Sequence, residues 1–225
     1  MEFIISDLHF YHGNIIGFDG RPFESVHEMN QTLVDNWNAV VNPSDTVYVL
    51  GDMFYKAYNE DVQGILKRLN GTIIYVWGNH ERALKRQPEL VAERFKETHD
   101  YLEVTVGSKD TKKRLVMSHY PIPTFDGHFR KDVIHLYGHV HVTEEQLFAV
   151  YQQLMNFTYS NVQGTHMMLN VGAMMKYMGY EPKPLAYVIN KAEERANMLY
   201  DYFNNDCKGV MPTIEEFRKQ KHLYL

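Results

Sequence analysis

Five short segments of this chain end in the same kind of chemistry: Asp7-Leu8-His9, Gly51-Asp52, Gly78-Asn79-His80-Glu81, Ser118-His119 and Gly138-His139-Val140-His141. Each closes an apolar run with a side chain able to hold a metal ion. Asp, Asn and His with no cysteine among them form a mixed nitrogen and oxygen donor set. Such a set suits Mn, Zn, Fe, Ni or Co, with Mn or Zn the most natural and Ca disfavoured. The set exceeds the four ligands of one zinc ion. Two ions sharing a carboxylate would use all of it, and ions about 3.5–4 Å apart stabilise both the attacking and the leaving oxygen of a phosphoryl displacement. His80 follows Asn79 without being an evident ligand. An imidazole carries a proton near neutrality, so His80 could protonate a departing oxygen or stabilise its charge. One such Asp or His alone is ordinarily a surface or packing residue; five segments ending alike argue for a site.

Residues this far apart converge only if the ends of strands meet. Glu2–Ile5, Thr46–Leu50, Thr72–Trp77, Arg114–Ser118 and Val133–Tyr137 are short apolar, β-branched runs that read as strands. Met167–Val171 and Leu185–Ile189 are further strand candidates. Ser25-Val26-His27-Glu28 has capping-box spacing, with Ser25 accepting and Glu28 reaching back. Behind it Val26, Met29, Leu33, Trp37 and Val40 form a helical stripe that Asn42-Pro43-Ser44-Asp45 ends. Val62, Ile65, Leu66 and Leu69 mark a second helix, Asn70-Gly71 a turn, and Ala83–Phe95 a third helix interrupted at Pro88.

This alternation predicts a largely parallel, covered sheet with ligands at the carboxyl ends of its strands. On an extended backbone the pairs Asp7/His9 and His139/His141 would each share a face. Glycine before Asp52, Asn79 and His139 permits tight turns and close approach of the backbone to a ligand. Beyond His99 the pattern becomes a hairpin, 101–106 and 114–118 around Gly107-Ser108-Lys109-Asp110. The stretch 144–164, with Leu147, Val150, Tyr151, Leu154 and Phe157, reads as helical, as does Ala192–Phe203, and Thr213 with Glu216 caps a short terminal helix. Met167, Met168, Met174, Met175 and Met178 read as flexible core filler.

The 225 residues, 44% hydrophobic and 23% charged, suffice for one domain, 1–225, with 143–166 as a candidate insertion and 191–225 as a helical C-terminal extension. A net charge of −5 gives no basis for wrapping duplex DNA, although a small nucleotide or phosphate ester remains compatible because bound metal brings its own charge. The single Cys207 excludes an internal disulfide and fits a reducing, cytoplasmic setting. The opening MEFIISD lacks the parts of a signal peptide, and no apolar run approaches the ~18 residues of a membrane helix.

Taken in order, D-x-H at Asp7 and His9, G-D at Asp52, G-N-H-E at 78–81, the isolated His119 and G-H-x-H at His139 and His141 resemble the calcineurin-like metallophosphoesterase superfamily. The stretches Phe10-Tyr11-His12-Gly13-Asn14 and Gly20-Arg21-Pro22-Phe23 resemble its small microbial and phage-borne members. The resemblance covers about Phe3–His141, with Asn170-Val171-Gly172 as a trailing element. It implies a four-layer α/β fold of two mixed β-sheets packed as a sandwich and flanked by helices, in place of one parallel sheet. It further implies Asp7, His9, Asp52 and His141 around a first ion, and Asp52, Asn79, His119 and His139 around a second, Asp52 bridging. His80 would stand beside the leaving group, and a water or hydroxide between the ions would be the nucleophile. Glu81 could orient His80 or His119 through a ring nitrogen.

The motif implies a phosphoester hydrolase without naming the ester. A nucleotide-like or short nucleic-acid diester is the reading favoured, because His80 suits protonation of a poor leaving group. A phosphomonoesterase acting on a phosphoprotein or small metabolite, and a non-catalytic module that binds phosphate esters, are the alternatives. His12, Asn14, Arg21 and Arg82 are candidate phosphate contacts at the rim, with Lys85 beside them. Tyr55, Tyr58, Tyr120, Phe125 and Phe129 are candidate stacking rings, and His128 and Arg130 lie in a loop that could reach the pocket. The long segment after His141 could be a lid, packing, or the contact of a homodimer.

Overall fold

The computed structural model describes residues 1–143, 147–154 and 167–220. Two mixed sheets form its framework. In the first, β1 (Glu2–Ile5), β2 (Thr46–Val49), β3 (Thr72–Val76) and β4 (Phe95–His99) run parallel in the spatial order β4-β3-β2-β1. In the second, β5 (Leu102–Val106) pairs antiparallel with β6 (Lys113–Met117), and β6, β7 (Val133–Tyr137) and β8 (Met167–Asn170) run parallel. The two-residue β9 (Lys183–Pro184) then returns to pair antiparallel with β1. Ser6 joins the sheets at their carboxyl ends: its N–H donates to Val171 O, and its own carbonyl accepts from Ala173 N–H.

The strand period explains the layers. Leu115 and Met117, Ile134 and Leu136, and Met167 and Leu169 point into a core shared with Phe3, Ile5, Val47, Val49, Ile73 and Tyr75 of the first sheet. Their neighbours Val116, Val133, Tyr137 and Met168 point the other way, into a second apolar layer with Leu199, Tyr202, Phe203 and Phe217. Helices cover both outer faces, so both sheets are buried on two sides, which is why the inner strands read as continuous apolar runs. Helix α1 (Ile15–Asp19) is one turn. Helix α2 (Val26–Val40) starts as its sequence predicts, Ser25 accepting from Glu28 N–H, and buries Met29, Leu33, Val34 and Trp37. Glu28 does reach back, but to Glu24 N–H, one residue before the cap. Helix α3 (Asn59–Leu66) buries Val62, Ile65 and Leu66.

Two expectations need correcting, and two strands were missed. The expected helix 83–95 is two short helices, α4 (Arg82–Lys85) and α5 (Pro88–Arg94), with Pro88 in the first turn of the second, where its missing N–H costs no bond. Phe95 already belongs to β4, which sequence reading missed because an edge strand with one buried residue, FKETH, lacks the apolar signature. Strand β9 was missed as well, being only two residues long. Leu185–Ile189 is helix, not strand: it opens α7 (Leu185–Asp201), which buries Leu185, Val188, Ala192, Arg195, Ala196 and Leu199. A short apolar run cannot be assigned to strand or helix by periodicity alone, and here Pro184 marks the helix start. Position 191 therefore falls inside α7, and no element boundary lies there.

Residues 147–154 form the described part of a helix, α6, with Leu147, Val150, Tyr151 and Leu154 buried in the second layer. Residues 144–146 and 155–166, including Phe157, lie outside the described residues. A π-helical turn, Tyr202–Asp206, follows α7, and the capped α8 (Ile214–Arg218) buries Phe217. The five methionines read as filler are all buried. Among the described residues no helix is long and apolar enough to cross a membrane.

His135 is the polar exception on the outward face of β7. It is wholly buried, with Nδ1 3.0 Å from Val116 O and Nε2 3.0 Å from Ile122 N. The ring is therefore neutral, donating from Nδ1 and accepting at Nε2. Burial pushes its pKa from 6.5 down to about 4. The unfolded chain takes up a proton near pH 6.5 and the folded one only near 4. The stabilisation is thus full above 6.5 and falls by about 3 kcal/mol as the pH drops through that window. Urea unfolding should accordingly weaken more steeply between pH 6.5 and 4 in the native protein than in His135→Gln, which keeps a donor and an acceptor without titrating. Parallel pH slopes would exclude this role for His135.

Candidate metal centre

The chain delivers its donors by leaving the strands abruptly. Asp7, His9, Asp52 and His139 have φ of 55°, 54°, 53° and 67°, the left-handed region that side chains with a Cβ rarely occupy. The expectation that Asp7/His9 and His139/His141 share a face on extended backbone is corrected here: the turns aim the donors, not the strand pleat. Such conformations cost of order 1–3 kcal/mol each and persist only where neighbours enforce them. The enforcement is visible. Asp7 N–H donates to Gly51 O, His9 N–H to Asp52 O, and Phe10 N–H to Met53 O, extending the β1–β2 pairing past the strands. Gly138 permits the closest approach, since a Cβ there would lie 2.1 Å from Ser6 Oγ and 2.4 Å from Asp7 Oδ2. Gly51 combines φ +83° with a comparably tight fit against Gly78 and His119.

Among the described residues, two groups of donor atoms lie within 4.8 Å of one another: Asp7, His9 and His141, and Asp7, Asp52 and His119. Asp7 is thus common to both, whereas sequence reasoning singled out Asp52 alone. Asp52 Oδ2 nevertheless lies 3.8 Å from His9 Nε2 and 3.5 Å from His119 Nε2. Asp7 Oδ1 is 3.8 Å from His9 Nε2 and 3.9 Å from His141 Nε2, and the two ring nitrogens are 3.3 Å apart. Asn79 Oδ1 meets His119 Nε2 and His139 Nδ1, each at 2.9 Å. Ligands on one ion with bonds of about 2.1 Å lie roughly 3–4.2 Å apart, from neighbouring to opposed positions, so these separations suit metal coordination.

The electrostatics suit it as well. Burial raises the pKa of Asp7 and holds that of His9 well below its usual value, His141 and Arg21 adding to the latter. Burial also lowers His139, with the neighbouring His119 next in effect. Neutral imidazoles present free lone pairs, and a buried carboxylate needs a nearby cation. The His9 Nδ1 atom is buried with no hydrogen-bond partner among the described residues.

The layer behind the donors holds the findings that sequence reading missed. Asp19, at the end of α1, accepts from His141 Nδ1 at 2.8 Å and from Arg21 Nε at 2.9 Å, aiming His141 Nε2 at the centre. Burial works to raise Asp19, but hydrogen bonds and charge from His141 and Arg21 outweigh it and hold the carboxyl below its usual range. Burial likewise works to lower His141, but the hydrogen bond to Asp19 and the charges of Asp7 and Asp19 outweigh it and raise the ring. The signal was Asp19-Gly20-Arg21 itself, an acid and a base about the left-handed Gly20 that ends the helix. Arg21 was expected at the rim and is corrected to the interior: it donates from Nη1 to Leu8 O and from Nη2 to Asp7 O, bracing the turn that carries the first donors.

Glu81 also differs from expectation. Instead of a ring nitrogen of His80 or His119, its carboxylate accepts from Asp52 N–H, Gly78 N–H and Tyr75 Oη, fixing the loop that carries Asp52. His119 is oriented instead by Leu50 O, 2.8 Å from Nδ1. Asn170, in the trailing element, donates to Val140 O and so holds the loop between His139 and His141.

At the mouth, the His80 side chain is 40% exposed, with Nε2 4.0 Å from Asp52 Oδ2, while its backbone N–H donates to Asp52 Oδ1. His12 stacks on Tyr55 at 3.8 Å and meets His9 edge-on. Tyr120 is half exposed, its ring against His119 and His139. Arg82 is exposed beside His80. Asn14 faces a separate crevice with Glu24 and Ser25, and Lys85 lies over Trp77, away from the donors. Phe125 is buried, and Phe129 is exposed against His128. Arg130 pairs with Asp132.

The two-sheet α/β sandwich thus carries, at its strand ends, a carboxylate–imidazole cluster able to hold divalent metal ions. The chain belongs to the calcineurin-like phosphoesterase superfamily, whose domain matches residues 1–195. An uncharacterized protein of Methanocaldococcus jannaschii is 47% identical over 81 residues, 36% of this chain and 46% of that protein. The chain thus spans less than half the length of this curated relative. A crystal structure of a protein of unknown function from Aquifex aeolicus aligns over 85% of this chain and 98% of its own, at 26% identity and a TM-score of 0.57.

Because Asp19 aims His141, Asp19→Ala should weaken Mn²⁺ binding roughly 10–100-fold. Calorimetric titration of metal-free protein should show the loss at one site more than the other. Unchanged affinity at both would remove Asp19 from the centre's support.

Proposed function

We propose that the protein is a dinuclear-metal phosphodiesterase acting on a nucleotide-like or short nucleic-acid ester, with Mn²⁺ the most natural ion. In this reading Asp7, His9, Asp52 and His141 hold one ion, Asp52, Asn79, His119 and His139 the other, and Asp52 is shared. The observation that supports it is that Asp52 Oδ2 lies 3.8 Å from His9 Nε2 and 3.5 Å from His119 Nε2, within reach of both donor groups. Two divalent ions, when bound, supply positive charge to an anionic ester and make a water acidic enough to attack near neutral pH.

The chain's own part is orientation and proton delivery. Asp52 is fixed by Glu81 at its backbone N–H and by the His80 backbone N–H at Oδ1, so its second oxygen stays aimed at the centre. The half-exposed His80 ring, near the centre and open to solvent, holds a proton at Nε2 for the departing oxygen. That role favours diesters, whose alkoxide leaving groups need protonation.

Purified protein with Mn²⁺ should cleave bis(p-nitrophenyl) phosphate faster than p-nitrophenyl phosphate and lose activity to a chelator. Asp52→Asn should lose bound metal and turnover together. His80→Ala should keep its metal, by elemental analysis, and lose ~10²–10⁴ in kcat. Equal metal loss in both variants would contradict the division of roles, and a faster monoester would reverse the diester preference.

A further inference from the structure

Beyond His80 the centre opens into a crevice of about 780 Å³ that begins at Asn79 and His80 and continues along Tyr55, Lys56, Tyr58, Arg82 and Arg86. This is room enough for a nucleotide-sized ligand. Its charge runs against that of the chain. Lys56, Arg82 and Arg86 line it with Glu60 as the one acid, in a protein of net charge −5. None of the three has a carboxylate at ion-pair distance among the described residues, so their charge is open to a ligand.

Two of the cations are partly positioned. Arg86 Nε donates to Arg82 O, setting one guanidinium along α4 beside the other. Lys56 sits at φ 50° with its ammonium 5.1 Å from the centre of the Tyr55 ring. Tyr55 is a wall rather than a free platform, stacked on His12 at 3.8 Å and edge-on to His80 at 5.0 Å. Tyr58 is the open ring, 78% exposed.

Cations at the donor cluster would serve the phosphate being cleaved. Three more, beyond the proton-donating His80, match additional negative charge on the departing side, and an open aromatic ring beside them matches a base. We infer that this crevice is a leaving-side subsite for a second phosphate and its attached base. The substrate class is then a nucleotide-like diester carrying a phosphate besides the one cleaved, as at a phosphorylated oligonucleotide end. The inference deepens the hydrolase reading and rests on it for the direction of cleavage, while binding in the crevice does not depend on turnover.

The test uses diadenylate with and without a terminal phosphate, at the 5′ or the 3′ end. With metal-free protein, calorimetry should find one phosphorylated form bound roughly tenfold tighter than the plain dinucleotide. That preference should vanish in Arg82→Ala/Arg86→Ala and shrink in Lys56→Ala, each checked for folding by circular dichroism. With Mn²⁺, the same ratio should appear in kcat/KM and collapse in the same variants. No preference in the native protein, or one that survives the double substitution, would overturn the subsite. A phosphopeptide bound as tightly, with the same dependence on the arginines, would overturn the nucleotide assignment. Preferential binding that depends on the arginines, without cleavage of any ester, would support the subsite and remove the hydrolase reading.

Discussion

Two carboxylates, Asp7 and Asp52, are 0% and 2% exposed, and among the described residues neither is paired with a lysine or arginine. Burying an anion without a counter-charge costs several kcal/mol, and the surrounding structure is arranged around that cost. Backbone N–H groups of His139 and His80 donate to the two carboxylates, and imidazoles fill the remaining sides. These contacts offset part of the penalty and leave lone pairs facing inward. Divalent cations are the partner whose charge matches what remains.

The supports lead from that cluster back into the core. Tyr75 of β3 stacks on Phe95 of β4 at 4.8 Å and gives its hydroxyl to Glu81, which in turn holds Asp52 N–H. Arg21 ties the Asp7 turn to Asp19, and Asp19 ties it to His141, 122 positions further along the chain. Ser6 joins the two sheets beside the first donor. The strained turns are therefore held by both sheets at once, which accounts for four left-handed residues with side chains in one small volume.

Rigidity and selectivity are divided in space. The deep donors, Asp7, His9, Asp52 and His119, are buried and braced, while Asn79, His80 and His139 grade outward to exposed Lys56, Arg82 and Arg86. A fold of this kind hosts many chemistries, and ligand selectivity resides in the loops at its rim.

Much was legible because it was local. The donor types stand after apolar runs, so Asp7, His9, Asp52, Asn79, His119, His139 and His141 could be picked out as candidate donors without coordinates. The α2 stripe, the Thr213–Glu216 cap and the hairpin closing at Gly107 follow from spacings of three or four residues or from a single glycine. What was misread depends on partners distant in the chain. Strand β4 is polar and exists because β3 offers it an edge, and Leu185–Ile189 is helical because its apolar side faces a core built by residues far before it. Glu81 chose Asp52 N–H and Tyr75 over the nearby imidazoles, and Arg21 turned inward to carbonyls left open by strained turns. Residue type and spacing determine which atoms can bind a metal. Which of them are buried together, and what braces them, is decided only when two sheets close on one another and nearly every buried polar group finds a partner.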